Sequence, residues 1–266
     1  MAASRGNLYS RRLSSYVQRN QPVGVPPLEL TGERTLPDVP EENYWYRRHL
    51  VVYRWIAERC VGQRVVDMAC GEGYGSAVLA QRASEVIGVD ANPEAHEHAR
   101  LRYRSSNLRF ERSLIEEFEA GAPWDAIVFL QTVEHMQEPL VLLEHFASLL
   151  EPGGVAYVST PNRLTLAAPG AQKSGNPWHV REYTPAEYRA VLEPSFARVD
   201  LLGVFHARKL RAHELALRIG WDRVHTALRL TRPFYDRFVP AIDECDFAVR
   251  DGDLDRALDL LAVCRP

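Results

Sequence analysis

Carboxylates and glycines at fixed spacing mark where this chain is built to do chemistry. Arg64-Val-Val-Asp-Met-Ala-Cys-Gly-Glu-Gly-Tyr-Gly-Ser76 holds an apolar run ending in Asp67, glycines on alternate positions (Gly71, Gly73, Gly75), then an apolar helical pattern from Ala77. That order predicts a buried strand, a tight turn and a helix. Glycine lets the backbone approach a ligand where a Cβ would collide, and a new helix aims N–H groups at that ligand. A second apolar run, Val86-Ile-Gly-Val, ends in Asp90, a carboxylate able to accept from both hydroxyls of a ribose. A dinucleotide fingerprint runs Gly-x-Gly-x-x-Gly with its acid about 20 residues later. Here the third glycine falls one residue early, and an extra acid precedes the first glycine by four.

Two polar clusters follow later apolar runs: Gln131-Thr-Val-Glu-His135 after Trp124–Leu130, and His179-Val-Arg-Glu-Tyr-Thr184 after Val155–Thr160. Imidazole titrates near neutral pH, so His135 or His179 held against a hydroxyl is a candidate general base. The alternatives are pocket wall for Glu134 and His135, and a surface histidine ahead of a helix for His179.

The elements that position these groups follow from periodicity. Residues 42–59 predict an amphipathic helix with Tyr46, Leu50, Tyr53 and Ala57 on one stripe and Arg47, Arg48 and His49 elsewhere. Pro93 opens a helix to about Tyr103, and 107–112 is a short strand. Strand 124–131, helix 140–150 stopped by Pro152-Gly-Gly154, and strand 155–160 come next. Thr184 caps a helix to Leu192 with Pro185 in its first turn and Glu187 three residues on. Strand 196–202, Arg-rich amphipathic helices over 208–244 and a final strand at 258–264 complete the chain. Alternating strands and helices predict a mainly parallel sheet with ligands at the strand carboxyl ends.

Composition narrows the partners. The 266 residues carry 32 Lys+Arg against 35 Asp+Glu, a net charge of −3, so the chain lacks the global basic field that holds nucleic acid non-specifically. Cys60, Cys70, Cys245 and Cys264 show no paired spacing, which points to free thiols in a reducing cytoplasm. No apolar run approaches the ~20 residues of a membrane span. Ser4–Arg12 lacks an apolar h-region after its charges, so the expectation is a soluble cytoplasmic protein without a secretory signal.

The Cys70-Gly-Glu-Gly-Tyr-Gly75 loop, with Asp67 before it and Asp90 after it, resembles motif I and the following acid of the class I S-adenosylmethionine-dependent methyltransferases. That resemblance implies an α/β fold: a seven-stranded, mostly parallel, doubly wound Rossmann-like sheet whose last strand is antiparallel. It implies an N-terminal arm over 1–40, in which Leu30–Pro37 leads into a helix closing over the cofactor. The core would span 41–208 and the end of the sheet 246–266, with a helical insertion at 209–245 acting as a lid or as a homodimer contact. S-adenosylmethionine is the implied cofactor, held over Asp67, Met68, Ala69, Cys70, Gly71 and Gly73. Asp67 is expected to act through a water or a backbone turn near the methionine amino group. Asp90, Ala91 and Asn92 fall at the ribose, and Gln131 near the methyl group. Ser113 and Leu114 fall at the adenine, where many members carry an acid that this chain lacks. Arg48 is the implied partner of the methionine carboxylate.

Ubiquinone-biosynthesis O-methyltransferases and small-RNA 2′-O-methyltransferases carry a Glu-x-x-Glu-His run where this chain reads Gln131-Thr-Val-Glu134-His135. The RNA enzymes add a later His in a context similar to His179, Glu182, Tyr183 and Thr184. By that resemblance Gln131, Glu134, His135 and His179 form a site for Mg²⁺ or Mn²⁺, weakened by an amide where a carboxylate is usual. Such an ion would orient an acceptor hydroxyl and lower its pKa. Taken together, Thr31-Gly-Glu-Arg34, the Cys70–Gly75 loop, Ser159-Thr-Pro-Asn-Arg163 and Leu258-Asp-Leu-Leu-Ala-Val-Cys264 look most like actinobacterial methyltransferases linked to polysaccharide or glycolipid genes, which implies a hydroxyl on a saccharide or other small molecule as acceptor. RNA 2′-O-methylation is the runner-up, opposed by the acidic charge and the lack of an RNA-binding module. A non-catalytic cofactor-binding subunit is the third reading.

Overall fold

A computed structural model describes residues 15–16, 22–30, 34–119, 121, 123–221, 224, 226, 228 and 231–266. Ser4–Arg12 and the Thr31-Gly-Glu33 part of the arm lie outside the described residues. A two-stranded antiparallel pair, β1 (Ser15–Tyr16) and β2 (Leu28–Glu29), stands apart from the main sheet. The core opens with α1 (Asn43–Ala57), β3 (Arg64–Met68), α2 (Tyr74–Leu79), β4 (Glu85–Val89), α3 (Pro93–Arg102) and β5 (Leu108–Glu111). It continues with β6 (Trp124–Leu130), α4 (Pro139–Leu149), β7 (Leu150–Pro161), α5 (Arg163–Leu166), α6 (Pro185–Leu192) and β8 (Arg198–His206). The last elements are α7 (Arg208–Arg218), α8 (Thr231–Phe238), β9 (Phe247–Arg250) and β10 (Asp259–Arg265).

The main sheet has the order β5-β4-β3-β6-β7-β10-β8-β9. Its first five strands in that order are parallel; β10 enters antiparallel between β7 and β8. The sheet therefore has eight strands, not the expected seven. The eighth, β9, is an edge strand paired with Gly203–His206, and that pairing carries β8 past its predicted end at Leu202. Four residues on an edge give too short a period to read from sequence. Pro152-Gly-Gly154 also lies within β7 rather than before it, although α4 does end just ahead of it.

Parallel strands buried on both faces need continuous apolar runs, and the alternating side chains sort into two cores. Val66, Met68, Ile87, Val89, Ile127 and Phe129 pack with Phe146 of α4 and Tyr188 of α6. Val65, Val86, Ala126 and Val128 pack with Tyr53 and Ile56 of α1, Leu79 of α2 and Leu210 of α7. Local signals set the helix starts: the Asn92 side chain accepts from Glu94 N and Ala95 N, and Thr184 and Glu187 form a reciprocal capping box. Among the described residues no helix is long and apolar enough to cross a membrane.

From β3 the chain winds outward through β4 and β5, then returns to place β6 on the other side of β3. Adjacent crossovers diverge there and leave a crevice outside the carboxyl ends of β3 and β6, the usual ligand position in such sheets.

Candidate active site

A cavity of about 230 Å³ occupies that crevice. The turn after β3 contributes Ala69, Cys70, Gly71 and Glu72, the end of β4 contributes Asp90, and the end of β6 with the segment after it contributes Leu130, Gln131, Thr132 and His135. Arg34 and Thr35 of the arm, His49 and Tyr53 of α1, and Tyr74 of α2 complete the lining. Ala69 (φ 56°) and Gln131 (φ 54°) both hold left-handed backbone without being glycine, one at the end of each strand flanking the crevice. Such strain clusters at sites where geometry is over-determined by function.

The two acids of the glycine-loop region have different surroundings. Asp90 Oδ2 accepts from Gly71 N (2.7 Å) and Oδ1 from Asn92 N (2.9 Å), which fixes the carboxylate at the cavity and links it to the loop. A carboxylate offers about four lone-pair directions, so a vicinal diol can be accepted as well. Asp67 is fully buried and does not line the cavity; Ser76 Oγ donates to it at 2.6 Å and Tyr53 OH at 3.2 Å. Burial outweighs those bonds and pushes its carboxyl up to about 7. Burial, with Asp67 and Asp90 nearby, also holds the Cys70 thiol well above its ordinary value, so Cys70 is wall rather than nucleophile.

Several residues expected at the cofactor sit elsewhere. Met68 belongs to the core, in a strand whose face is set by period two. Gly73 faces away from the cavity: a Cβ there would stand 2.7 Å from Ala99 Cβ and 3.0 Å from the Phe110 ring. Ala91 and Asn92 are exposed, with Asn92 serving as the cap of α3. Ser113 Oγ donates to Leu114 O at 2.9 Å, and neither residue lines the cavity. Arg48 is buried against Asp259 of β10: its Nε donates at 2.5 Å, one terminal nitrogen forms a second bond to that carboxylate, and the same nitrogen donates to Leu258 O at 2.6 Å. Its Nε and one terminal nitrogen are thereby committed to β10, with Tyr44 also against the guanidinium, and Arg48 does not line the cavity. Arg34 is the cation that lines the cavity, a position that no periodic signal marks because it precedes the first helix.

Glu72 also went unmarked by the sequence reading. It is buried and accepts from Tyr103 OH (2.7 and 2.9 Å) and Tyr74 N (3.1 Å), with His98 Nε2 at 3.1 Å, while His98 Nδ1 stands 2.7 Å from Pro26 O. The glycine loop is thereby fastened to α3 and, through His98, to the arm. An acid between two loop glycines is the only trace of this in the sequence.

Glu134, His135 and His179 converge: one ligand atom of each lies within 4.8 Å of the others. His135 Nδ1 donates to Trp178 O at 3.0 Å, and His179 Nδ1 donates to Glu182 at 2.7 Å. These partners place both protons on Nδ1 and both lone pairs on Nε2. Burial disfavours the Glu182 carboxylate, but bonds from His179 and Ser174 overcome that and hold its pKa below the ordinary value. A charged acceptor behind an imidazole fixes its tautomer and orientation. Thr160 Oγ1 donates to Glu134 at 3.1 Å, and Val180 N and Arg181 N donate to the Glu134 carbonyl, which ties the segment after β6 to the loop bearing His179. Gln131 donates through Nε2 to Ser159 Oγ at 3.0 Å, which holds its amide against β7.

The methyltransferase-domain family profile matches residues 35–212. A Mycolicibacterium smegmatis protein named "Probable S-adenosylmethionine-dependent methyltransferase" is 39% identical over 246 residues, covering 89% of this chain and 94% of its own. A ubiquinone biosynthesis O-methyltransferase of Xylella fastidiosa is 40% identical over 111 residues, covering 40% of this chain and 45% of its own. The crystal structure of an S-adenosylmethionine-dependent methyltransferase from Mesorhizobium loti superimposes with a TM-score of 0.54 at 18% identity, over 82% of this chain and 98% of the other, a likeness of fold.

Proposed function

The chain belongs to the S-adenosylmethionine-dependent methyltransferases, and from that premise we propose that it methylates a hydroxyl oxygen of a saccharide or other small molecule with the help of a divalent cation. The observation that carries this reading is the convergence of Glu134, His135 and His179 beside the cavity that Asp90 shares.

S-adenosylmethionine supplies an electrophilic methyl group on its sulfonium, so the protein's work is to place the acceptor and manage its proton. Asp90, pinned by two backbone N–H groups, would take the ribose hydroxyls, and the loop backbone at Gly71 would lie against the nucleoside. Arg34 would answer the methionine carboxylate. Glu134, His135 and His179 would hold the cation, which lowers the pKa of a hydroxyl bound to it. The ligand atoms of the three groups lie within 4.8 Å of one another, close enough that all three would hold a single ion. Two imidazoles and one carboxylate suit Mn²⁺ or a later first-row ion better than Mg²⁺, which prefers oxygen. Trp178, whose carbonyl orients His135, is 58% exposed and offers an apolar face against which a sugar ring would pack.

Titration calorimetry with S-adenosylhomocysteine and Mn²⁺, alongside methyl transfer to a panel of oligosaccharides and vicinal diols, tests the proposal. Nucleoside binding, a metal heat absent from Glu134→Gln, and turnover lost on chelation are expected. Undiminished turnover in chelator would remove the metal and leave the His179–Glu182 pair as general base.

A further inference from the structure

We propose that the helical segment between β8 and β9 is a docking surface for an anionic membrane, on which the protein lies without spanning it. The segment leaves the carboxyl end of β8, the sheet edge that also carries the cavity, because β8 runs parallel to β7. Its inner side is anchored. Leu210 and His213 are buried, His213 stacks on Phe234 with ring centroids 5.6 Å apart, and Asn43 of α1 donates to Val239 O and Ile242 O, both at 2.8 Å.

The outer side has a different character. Among the described residues, five of the thirteen exposed large apolar side chains lie between 215 and 228: Leu215, Ile219, Trp221, Val224 and Leu228. Leu215 of α7 and Ile219 at its C-terminal cap, 61% and 82% exposed, follow the exposed Arg211 at i, i+4 spacing, and Arg218, 61% exposed at its side chain and ion-paired with Glu214, stands beside them. Residues 208–238 contain eight Lys/Arg against three Asp/Glu, and the three further acids of the segment, Asp243, Glu244 and Asp246, are ion-paired with Arg47, Arg54 and Lys209.

Three occupants compete for such a face. In a symmetric contact with a second copy, the same basic patch would meet itself, and like charges would oppose closure. RNA would satisfy the charge but gives aliphatic side chains nothing to enter, since single-stranded bases are held on aromatic faces and guanidinium planes. A bilayer surface rich in anionic lipid satisfies both: Leu, Ile, Val and Trp enter the headgroup–acyl boundary while arginines reach the phosphates. Docking there would bring the open edge of the sheet, and with it the cavity, to acceptors carried on lipid.

Co-sedimentation of the full-length protein with phosphatidylcholine vesicles, with and without 30 mol% phosphatidylglycerol, tests the assignment. The protein should pellet with the anionic vesicles only, less so as salt rises, with a blue shift of tryptophan emission that Trp221→Phe reduces. Leu215→Ser with Ile219→Ser, and separately Arg211→Glu with Arg218→Glu, should each weaken partitioning at least about tenfold while leaving S-adenosylhomocysteine affinity unchanged, because none of the four side chains lines the cavity. Absence of binding to anionic vesicles overturns the proposal. So does a concentration-dependent dimer dissolved by the Leu215/Ile219 variant, or RNA retention stronger than vesicle retention and lost in the Arg211/Arg218 variant. None of these outcomes depends on the identity of the methyl acceptor.

Discussion

Asp67 is sealed between Tyr53 and Ser76, whereas Asp90 opens on the cavity, although both end adjacent parallel strands. The difference makes them separable by experiment. Burial lifts Asp67 from 3.8 to about 7, so between those values the folded chain keeps a proton that the unfolded chain has released. The associated stability is present below pH 4 and lost as pH rises through 7. Between about pH 4 and 7 the parent should therefore lose melting temperature relative to Asp67→Asn, while the half-buried His206 contributes equally to both; parallel profiles would place the titration elsewhere. Asp90 is expected to act on ligand. Asp90→Ala should weaken S-adenosylhomocysteine at least tenfold by calorimetry, since a hydrogen bond to a charged group contributes about 1.5–3 kcal/mol. Unchanged affinity would move the nucleoside out of the crevice. At the acceptor, His179→Ala should abolish turnover with the nucleoside still bound.

Elements meet in this fold through contacts that either forbid a side chain or demand one. Helix α2 crosses α1 so closely that a Cβ on Gly75 would stand 2.1 Å from the Tyr53 ring. Gly75→Ala should cost at least about 1–3 kcal/mol by denaturant titration, as overpacking does, and Tyr53→Leu in the same chain should recover part of it. Full stability in the single variant would mean that the helices separate freely. Arg48 and Asp259 join α1 to β10 across 211 residues of sequence. Breaking a buried pair from one side typically costs about 3–5 kcal/mol. Arg48→Ala and Asp259→Ala should each lose that much, and the double variant less than their sum. The sheet itself was legible because strands covered on both faces need apolar runs, which Val65–Val66, Val86–Val89, Ala126–Leu130 and Val155–Val158 supply. Arg48 was not: periodicity assigns a residue to a helix face, but a partner on the last strand is set by the tertiary fold. The Glu134, His135 and His179 cluster was legible only as a family pattern, because the loop contacts that bring His179 to Glu134 run through backbone N–H groups of Val180 and Arg181, which every residue but proline possesses.

At the scale of the molecule, the cavity exists only when four distant parts of the chain are assembled: Arg34–Thr35, α1 and α2, the ends of β3 and β4, and the segment after β6. A ligand of that cavity therefore binds the folded chain alone and raises its stability by mass action, about 2.7 kcal/mol at a hundred times Kd. For a domain of this size each kcal/mol moves Tm by roughly 2–4 °C, so saturating S-adenosylhomocysteine should raise Tm by about 5–10 °C. The same scan sorts the sites by what they do. Arg48→Ala should start from a lower Tm and keep the full ligand shift, because its guanidinium serves α1 and β10. Asp90→Ala should start near the parent value and lose about half the shift at the same nucleoside concentration, a tenfold loss in affinity being worth about 1.4 kcal/mol. Mn²⁺ should add a shift of its own that Glu134→Gln or His179→Ala removes. If Arg48→Ala lost the nucleoside shift as well as stability, the guanidinium would have a share in the ligand that its bond to Asp259 conceals.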